Sequence, residues 1–140
     1  MRLTMTTRRP VLFPDFNPVS ILTENPCCTA DQVWRAYGET LVEYNEDCME
    51  ACESASEIVS ALNRKCRRIS AVRKGVNGYL LSDGKSSLIL RESDEGEIAL
   101  DFPGKGGRLD ISGFGPSDSA GIILALFNTY GKVASLGLMN

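Results

Sequence analysis

A chain of 140 residues suits one domain, and its 43% apolar and 24% charged content matches a folded core rather than a disordered chain. A formal net charge of −3 supplies neither the dense negative charge of a DNA-backbone mimic nor the positive surplus of a sequence-independent nucleic-acid binder. The longest apolar run, Ile122 to Phe127, falls far short of the ~20 residues that cross a bilayer, which excludes a transmembrane helix.

Residues 1 to about 28 carry the prolines of PVLFPDFNP and NPCC and read as extended and irregular, with a partly flexible arm over about 1–10. Leu12, Phe13 and Phe16 are expected to tuck against the core. The opening MRLTMTTRRPVLFP lacks the continuous apolar stretch of a secretory signal, so a cytoplasmic location is expected. The five cysteines, Cys27, Cys28, Cys48, Cys52 and Cys66, form an odd set without disulfide-framework spacing and read as buried, reduced thiols. Cys48 and Cys52 would share a helix face, but the chain contains no histidine to complete the common mixed metal sites.

A helix start follows at TADQ, where Thr29 and Gln32 form a capping box and Cys28 with Val33 a hydrophobic staple. From there Val33, Tyr37, Leu41, Tyr44, Cys48, Cys52, Ala55, Val59, Leu62, Cys66 and Ile69 recur at steps of three and four, the helical period. One continuous rod over about 29–70 would reach ~60 Å, too long for a domain of this size, so the helix must break. The polar NED at Asn45–Asp47 and the SASE at Ser54–Glu57, a second capping box, are the candidate breaks. A coiled coil to a partner chain is the competing reading of this span. Acids from Glu43 to Glu57 precede the bases Arg64, Lys65, Arg67, Arg68, Arg73 and Lys74. That order complements a helix dipole, and the basic cluster also makes a candidate patch for phosphate or for an acidic protein face.

Beyond Gly75 the runs GYLL, SSLILR, EIALDF and RLDIS alternate like strands, and SDGK, ESDEG and PGKGG between them hold turn residues. Connections this short join antiparallel neighbours, giving a four-stranded meander over about 76–112 with one apolar face to be covered. The cover is a buried helix over about 116–134, with Pro116 at its first position and Ser117 and Asp118 beside the free amides. The fold class is therefore α+β, in one domain over 1–140.

Chemistry is hard to assemble from this composition. The glycines of GFGPSDSAGIILALF have neither Walker nor dinucleotide spacing, and Asp118 would stand where a phosphate should sit. PGKGG offers Lys105 but, between two strands, no helix dipole behind it. Without histidine there is no Ser–His or Cys–His pair. Carboxylate pairs such as Asp83 with Glu92 or Asp101 with Asp110 read as a solvated face, and Ser–Lys chemistry is left open with nothing to single it out. The expectation is a non-enzyme without catalytic residues, cofactor or metal.

From Ser86 onward, SSLILRES and then EIALDFPGKGGRLDISGFGPSDSAGIILALFNTYGKVA resemble the C-terminal core of the ArdB/KlcA antirestriction family. SDSAGIILALF, Ser117 to Phe127, is similar to that family's small-residue helix start, SDGKSSLIL to its hairpin, and RPVLFPDF, Arg9 to Phe16, to its N-terminal segment. The resemblance implies a small cytoplasmic protein of a plasmid, phage or other mobile element that blunts a bacterial host's restriction or related defence by non-covalent protein binding. Its partner would be a host defence protein. The basic segment suggests nucleic acid as the alternative partner, and the helical span suggests a homo-oligomer. The residues to examine first are Arg64, Lys65, Arg67, Arg68, Arg73 and Lys74, with Lys105 and Arg108 on the exposed loop.

Overall fold

The computed structural model describes residues 11–24, 29–48 and 54–138. Helices α1 (Pro18–Glu24), α2 (Ala30–Tyr44) and α3 (Ala55–Lys65) come first, with a short 3-10 turn at Glu46–Cys48. Strands β1 (Ser70–Arg73), β2 (Gly78–Ser82), β3 (Ser87–Glu92), β4 (Ile98–Phe102) and β5 (Gly107–Asp110) follow, and α4 (Pro116–Ala134) closes the chain. The α+β class is as expected from the sequence. The cysteines Cys27, Cys28 and Cys52, the side chain of Cys48, the proposed Cys28 staple and the arm over 1–10 lie outside the described residues.

The sheet is an antiparallel meander in the order β1-β2-β3-β4-β5, so it has five strands rather than four. The additional strand lies between the helical span expected over about 29–70 and the meander expected over about 76–112, overlapping the former only at Ser70. Ser70–Arg73 pair with Tyr79–Ser82, while α3 ends at Lys65. The break occurs at both candidate sites: α2 stops at Tyr44 with Asn45 as its C-cap, and α3 starts after Ser54.

The two expected capping boxes differ in outcome. At α2 the Gln32 amide donates to Thr29 Oγ1 at 3.2 Å, and the Thr29 amide donates to Gln32 Oε1 at 2.8 Å, which closes the box. At α3 Ser54 makes no side-chain cap. The acceptor there comes from the sheet: the Ala55 amide donates to Glu92 Oε1 at 2.6 Å, so a carboxylate at the end of β3 satisfies one free amide of the helix and complements its dipole.

The N-terminal segment also departs from expectation, since α1 forms within it. Asn17 accepts from the Ser20 amide through Oδ1 at 3.2 Å, and Pro18 occupies the first helical position, where it has no amide hydrogen to lose. Val11 and Phe16 pack against the core, whereas Leu12 and Phe13 are 43% and 55% exposed.

One hydrophobic core lies between a single sheet face and the helices. Leu81, Leu88, Leu90, Ile98, Leu100, Phe102 and Leu109 point into it from the strands. The cover is shared rather than provided by α4 alone. α2 lies against β4 and β5, α3 against β3, and α4 packs on both helices. Trp34 of α2 stands at the junction, its ring edge-on to Phe102 of β4 and to Phe127 and Tyr130 of α4. The loop before α4 turns the chain into this core. Phe114 is fully buried, Gly115 is the N-cap, Pro116 follows it, and Asp118 is itself buried within the first turn.

Candidate protein-binding surface

The sheet alternates inward and outward along every strand, so its second face follows from the register. One row across that face runs Val72, Leu80, Ile89, Asp101, Arg108. Val72 is 59% exposed, Leu80 and Ile89 are half-buried, and Arg108 is exposed. An apolar strip thus begins at β1 and gives way to charge at β4. None of the helices described above lies on this face.

The charged end is internally paired. Asp101 accepts from Arg108 Nε at 2.6 Å through Oδ1 and from Arg91 Nε through Oδ2. Burial acts to raise the Asp101 pKa, but the hydrogen bonds and charges of Arg108 and Arg91 outweigh it and hold the carboxyl below its ordinary value. Asp110 accepts from the Ser112 amide at 2.9 Å and from Ser112 Oγ at 2.6 Å. Asp83 accepts from the amides of Lys85 and Ser86, both at 2.9 Å, in the β2–β3 hairpin, where Gly84 supplies a φ of +91°. Burial opposes the shift, but these bonds lower the Asp83 pKa. Glu92 sits at the other end of β3, on the start of α3. The carboxylates Asp83 and Glu92 are therefore far apart along β3, and Asp101 and Asp110 each have their own partners.

The eight basic residues fall into two groups. Arg64 and Lys65 end α3, Arg67 and Arg68 form the turn after it, Arg73 is the last residue of β1 and Lys74 follows it, so along the chain five exposed cations stand before and after the first strand and a sixth ends it. Arg68 Nη2 donates to Asn128 Oδ1 on α4 at 3.3 Å. The Arg73 guanidinium donates to the carbonyls of Gly75 and Val76 and to Tyr79 Oη, and lies 5.2 Å from the Tyr79 ring centroid. All of those Arg73 partners are uncharged. Lys105 and Arg108 stand on the β4–β5 loop and on β5, at the opposite edge, and the fold does not bring them to the other six.

PGKGG does have a helix beside it, contrary to the reading from its strand neighbours. Arg35 Nε of α2 donates to the Gly106 carbonyl at 2.6 Å, and a Cβ built on Gly104 would stand 3.0 Å from Asp31 Oδ2. A buried carboxylate in the first turn of α2 thus faces this loop, and burial raises its pKa. It places an acid where an anionic ligand would approach.

The hollows on the surface are mixed in character, and one of about 470 Å³ lies between Pro14, Ser20, Tyr37 and Tyr44. One of about 220 Å³ lies between Ala55, Arg73, Tyr79 and Glu92, and one of about 320 Å³ between Asn77, Arg91, Ala99 and Arg108. Among the described residues no group of three or more Cys, Asp or Glu side chains could hold a metal ion, and no helix is long and apolar enough to cross a membrane. The residues that reasoning from sequence missed are Val72, Leu80 and Ile89. Leu80 and Ile89 already pair across β2 and β3, and Val72 joins their face only once Ser70–Arg73 enters the sheet. Comparison with protein-family models, with curated proteins and with solved structures finds no match for the chain.

Proposed function

We propose that the protein is a non-enzymatic anti-defence factor of a mobile genetic element, acting in the bacterial cytoplasm by binding a host restriction complex or related defence protein. The resemblance of Ser117–Phe127 and the preceding strands to the ArdB/KlcA family supplies the biological direction. The observation that carries the binding mode is the row Val72–Leu80–Ile89 on a sheet face that none of the helices covers, starting from a strand that has six cations in and around it along the chain. An accessible apolar strip bordered by charge is the composition of a protein contact, with an apolar centre and a polar rim. The perturbed acids support the same reading, because Asp83 and Asp101 are occupied by structural partners and Asp31 is buried against a loop.

The test is plating efficiency. Expressing the chain in a restricting bacterial host should raise the plating of unmodified phage and leave modified phage unchanged. Equal plating of unmodified phage with and without the protein would end this proposal.

A second reading is a nucleic-acid-binding accessory protein, favoured by the acid-free run from Arg64 to Ser82. It requires retention on DNA or RNA at low salt that falls steeply toward physiological ionic strength.

A further inference from the structure

We infer that the outer edge of β1 receives an extended, acidic segment of a partner protein as a sixth strand of the sheet. This rests on the protein-binding reading above and names the element and the chemistry it uses. The argument begins with the backbone. The Lys74 amide donates to the Gly78 carbonyl at 2.9 Å, which makes Lys74 and Gly78 a hydrogen-bonded pair of the β1–β2 ladder. Hydrogen-bonded and non-bonded pairs alternate in an antiparallel ladder, so Val72 also turns its amide and carbonyl toward β2. Ala71 and Arg73, opposite Leu81 and Tyr79, turn theirs outward. β1 is terminal in the strand order, and among the described residues no strand lies beyond it. The other edge is less open, because β5 lies against α2.

Charge selects the occupant. Arg64, Lys65, Arg67 and Arg68 precede β1 in the chain, Arg73 is its last residue and Lys74 follows it, and no acid occurs between Arg64 and Ser82. Arg73 is held by carbonyls, a hydroxyl and a ring and forms no ion pair among the described residues, while Glu92, which lines the same hollow, is engaged by the Ala55 amide. A second copy is the poorer occupant. Antiparallel pairing of β1 with itself would bring Arg73 and Lys74 of one chain toward Arg67 and Arg68 of the other, and like charges across a ladder are destabilising. The same charges favour a strand of acids. Side-chain alternation adds a second condition: on the open face the incoming residue extends the row Val72–Leu80–Ile89 and should be apolar, whereas the intervening residues meet the cations.

The probe is a fluorescein-labelled peptide of alternating Glu and Val, read by fluorescence anisotropy against the full chain. Two isomers, each N-methylated at one of the two sets of alternate residues, keep the charge but lose backbone donors on one edge. The unmethylated peptide should bind at low salt, and at least one methylated isomer should bind about tenfold more weakly, as expected for the loss of two backbone hydrogen bonds. Ala71→Pro removes one outward amide without touching the bonds to β2, and should weaken the unmethylated peptide while leaving the circular dichroism spectrum intact. Failure of the Glu–Val peptide to bind at low salt overturns the inference. So does equal binding of all three peptides and of a single-stranded oligonucleotide of matched charge, which would make the edge a nucleic-acid or counterion patch. No host protein enters this measurement. Loss of peptide binding with phage protection intact would remove the β1 edge and leave the anti-defence reading, and the converse result would remove only that reading.

Discussion

The side chain of Asn45 grips the backbone of Leu12 from both sides. Leu12 N donates to Asn45 Oδ1 at 2.7 Å, and Asn45 Nδ2 donates to the Leu12 carbonyl at 2.9 Å and to the Leu41 carbonyl at 2.7 Å. One fully buried amide therefore both terminates α2 and fixes the N-terminal segment to it, 33 residues away in sequence. Asn45→Ala should cost about 1–3 kcal/mol by urea unfolding, because buried backbone groups lose their partner. Asn45→Asp is nearly isosteric and should cost more, since a carboxylate oxygen would face two carbonyls in place of the donor. Both variants should speed proteolysis between Val11 and Glu24. Equal stability of the Asp variant and the natural chain would show that this clasp contributes nothing.

Trp34 is the only tryptophan of the chain, is fully buried, and donates through Nε1 to the Leu126 carbonyl at 2.8 Å. Its fluorescence should be blue-shifted in the native state and move to the red in a single unfolding transition. Trp34→Phe leaves a gap among Phe102, Phe127 and Tyr130 and removes the bond from α2 to α4. The expected loss is about 2–4 kcal/mol, followed by circular dichroism. A loss well below 1 kcal/mol would mean that these rings do not form the junction of helices and sheet.

The parts of the fold legible in the sequence were those specified by local chemistry. Thr29 with Gln32 gives the α2 start, and Asp83–Gly84 gives the β2–β3 hairpin, because each needs only neighbouring residues. β1 was hidden because Cys66 and Ile69 continue a spacing of three and four into a segment that leaves the helix after Lys65. Ile69 is buried as that spacing requires, but from a bend before the strand. The α1 start is ambiguous in the sequence because Asn17–Pro18 signals a break and a helix start equally well. Glu92 on α3 lay outside any sequence argument, since its partner is 37 residues distant. The candidate surface was half legible for the same reason. The six cations stand out as a run, but only strand order reveals that the run contains an edge strand and that Lys105 and Arg108 belong to the other side.

Gly106 tests the contact between the β4–β5 turn and α2. A Cβ there would lie 2.6 Å from Phe102 Cβ and 3.1 Å from the Asp31 carbonyl oxygen, and neither atom is the end of a flexible side chain. Gly106→Ala should therefore destabilise by about 1–3 kcal/mol through overpacking, despite adding a single methyl group. Gly131→Ala is the control. A Cβ at Gly131 meets nothing within 4 Å, and alanine is the better helix former, so that variant should gain up to about 1 kcal/mol. Matching stabilities for the two variants would contradict the close approach of the turn to the helix.

Asp31 and Asp101 should respond to pH with opposite signs. For Asp101 burial acts upward, but Arg108 and Arg91 prevail and its folded pKa lies below the ordinary 3.8. The native state then binds fewer protons than the unfolded chain, so this carboxylate stabilises above 3.8 and the contribution is lost as pH falls through the lower folded value. For Asp31 burial raises the folded pKa above 3.8, so the native chain holds its proton longer, and the penalty for ionising it is absent below 3.8 and complete above the raised value. At pH ~7 Asp101→Asn should therefore be less stable than the natural chain, and Asp31→Asn more stable. Titrating all three by urea unfolding should bring the Asp31 variant level with the natural chain by a pH just below 3.8, while the Asp101 variant converges only at a lower pH. Helix-dipole stabilisation in the first turn of α2 works against the Asp31 effect, so its sign decides which of burial and dipole governs that position. A destabilised Asp31→Asn at neutral pH would assign the position to the dipole, and the β4–β5 turn would then have to leave the carboxylate better solvated than its 5% residue exposure implies.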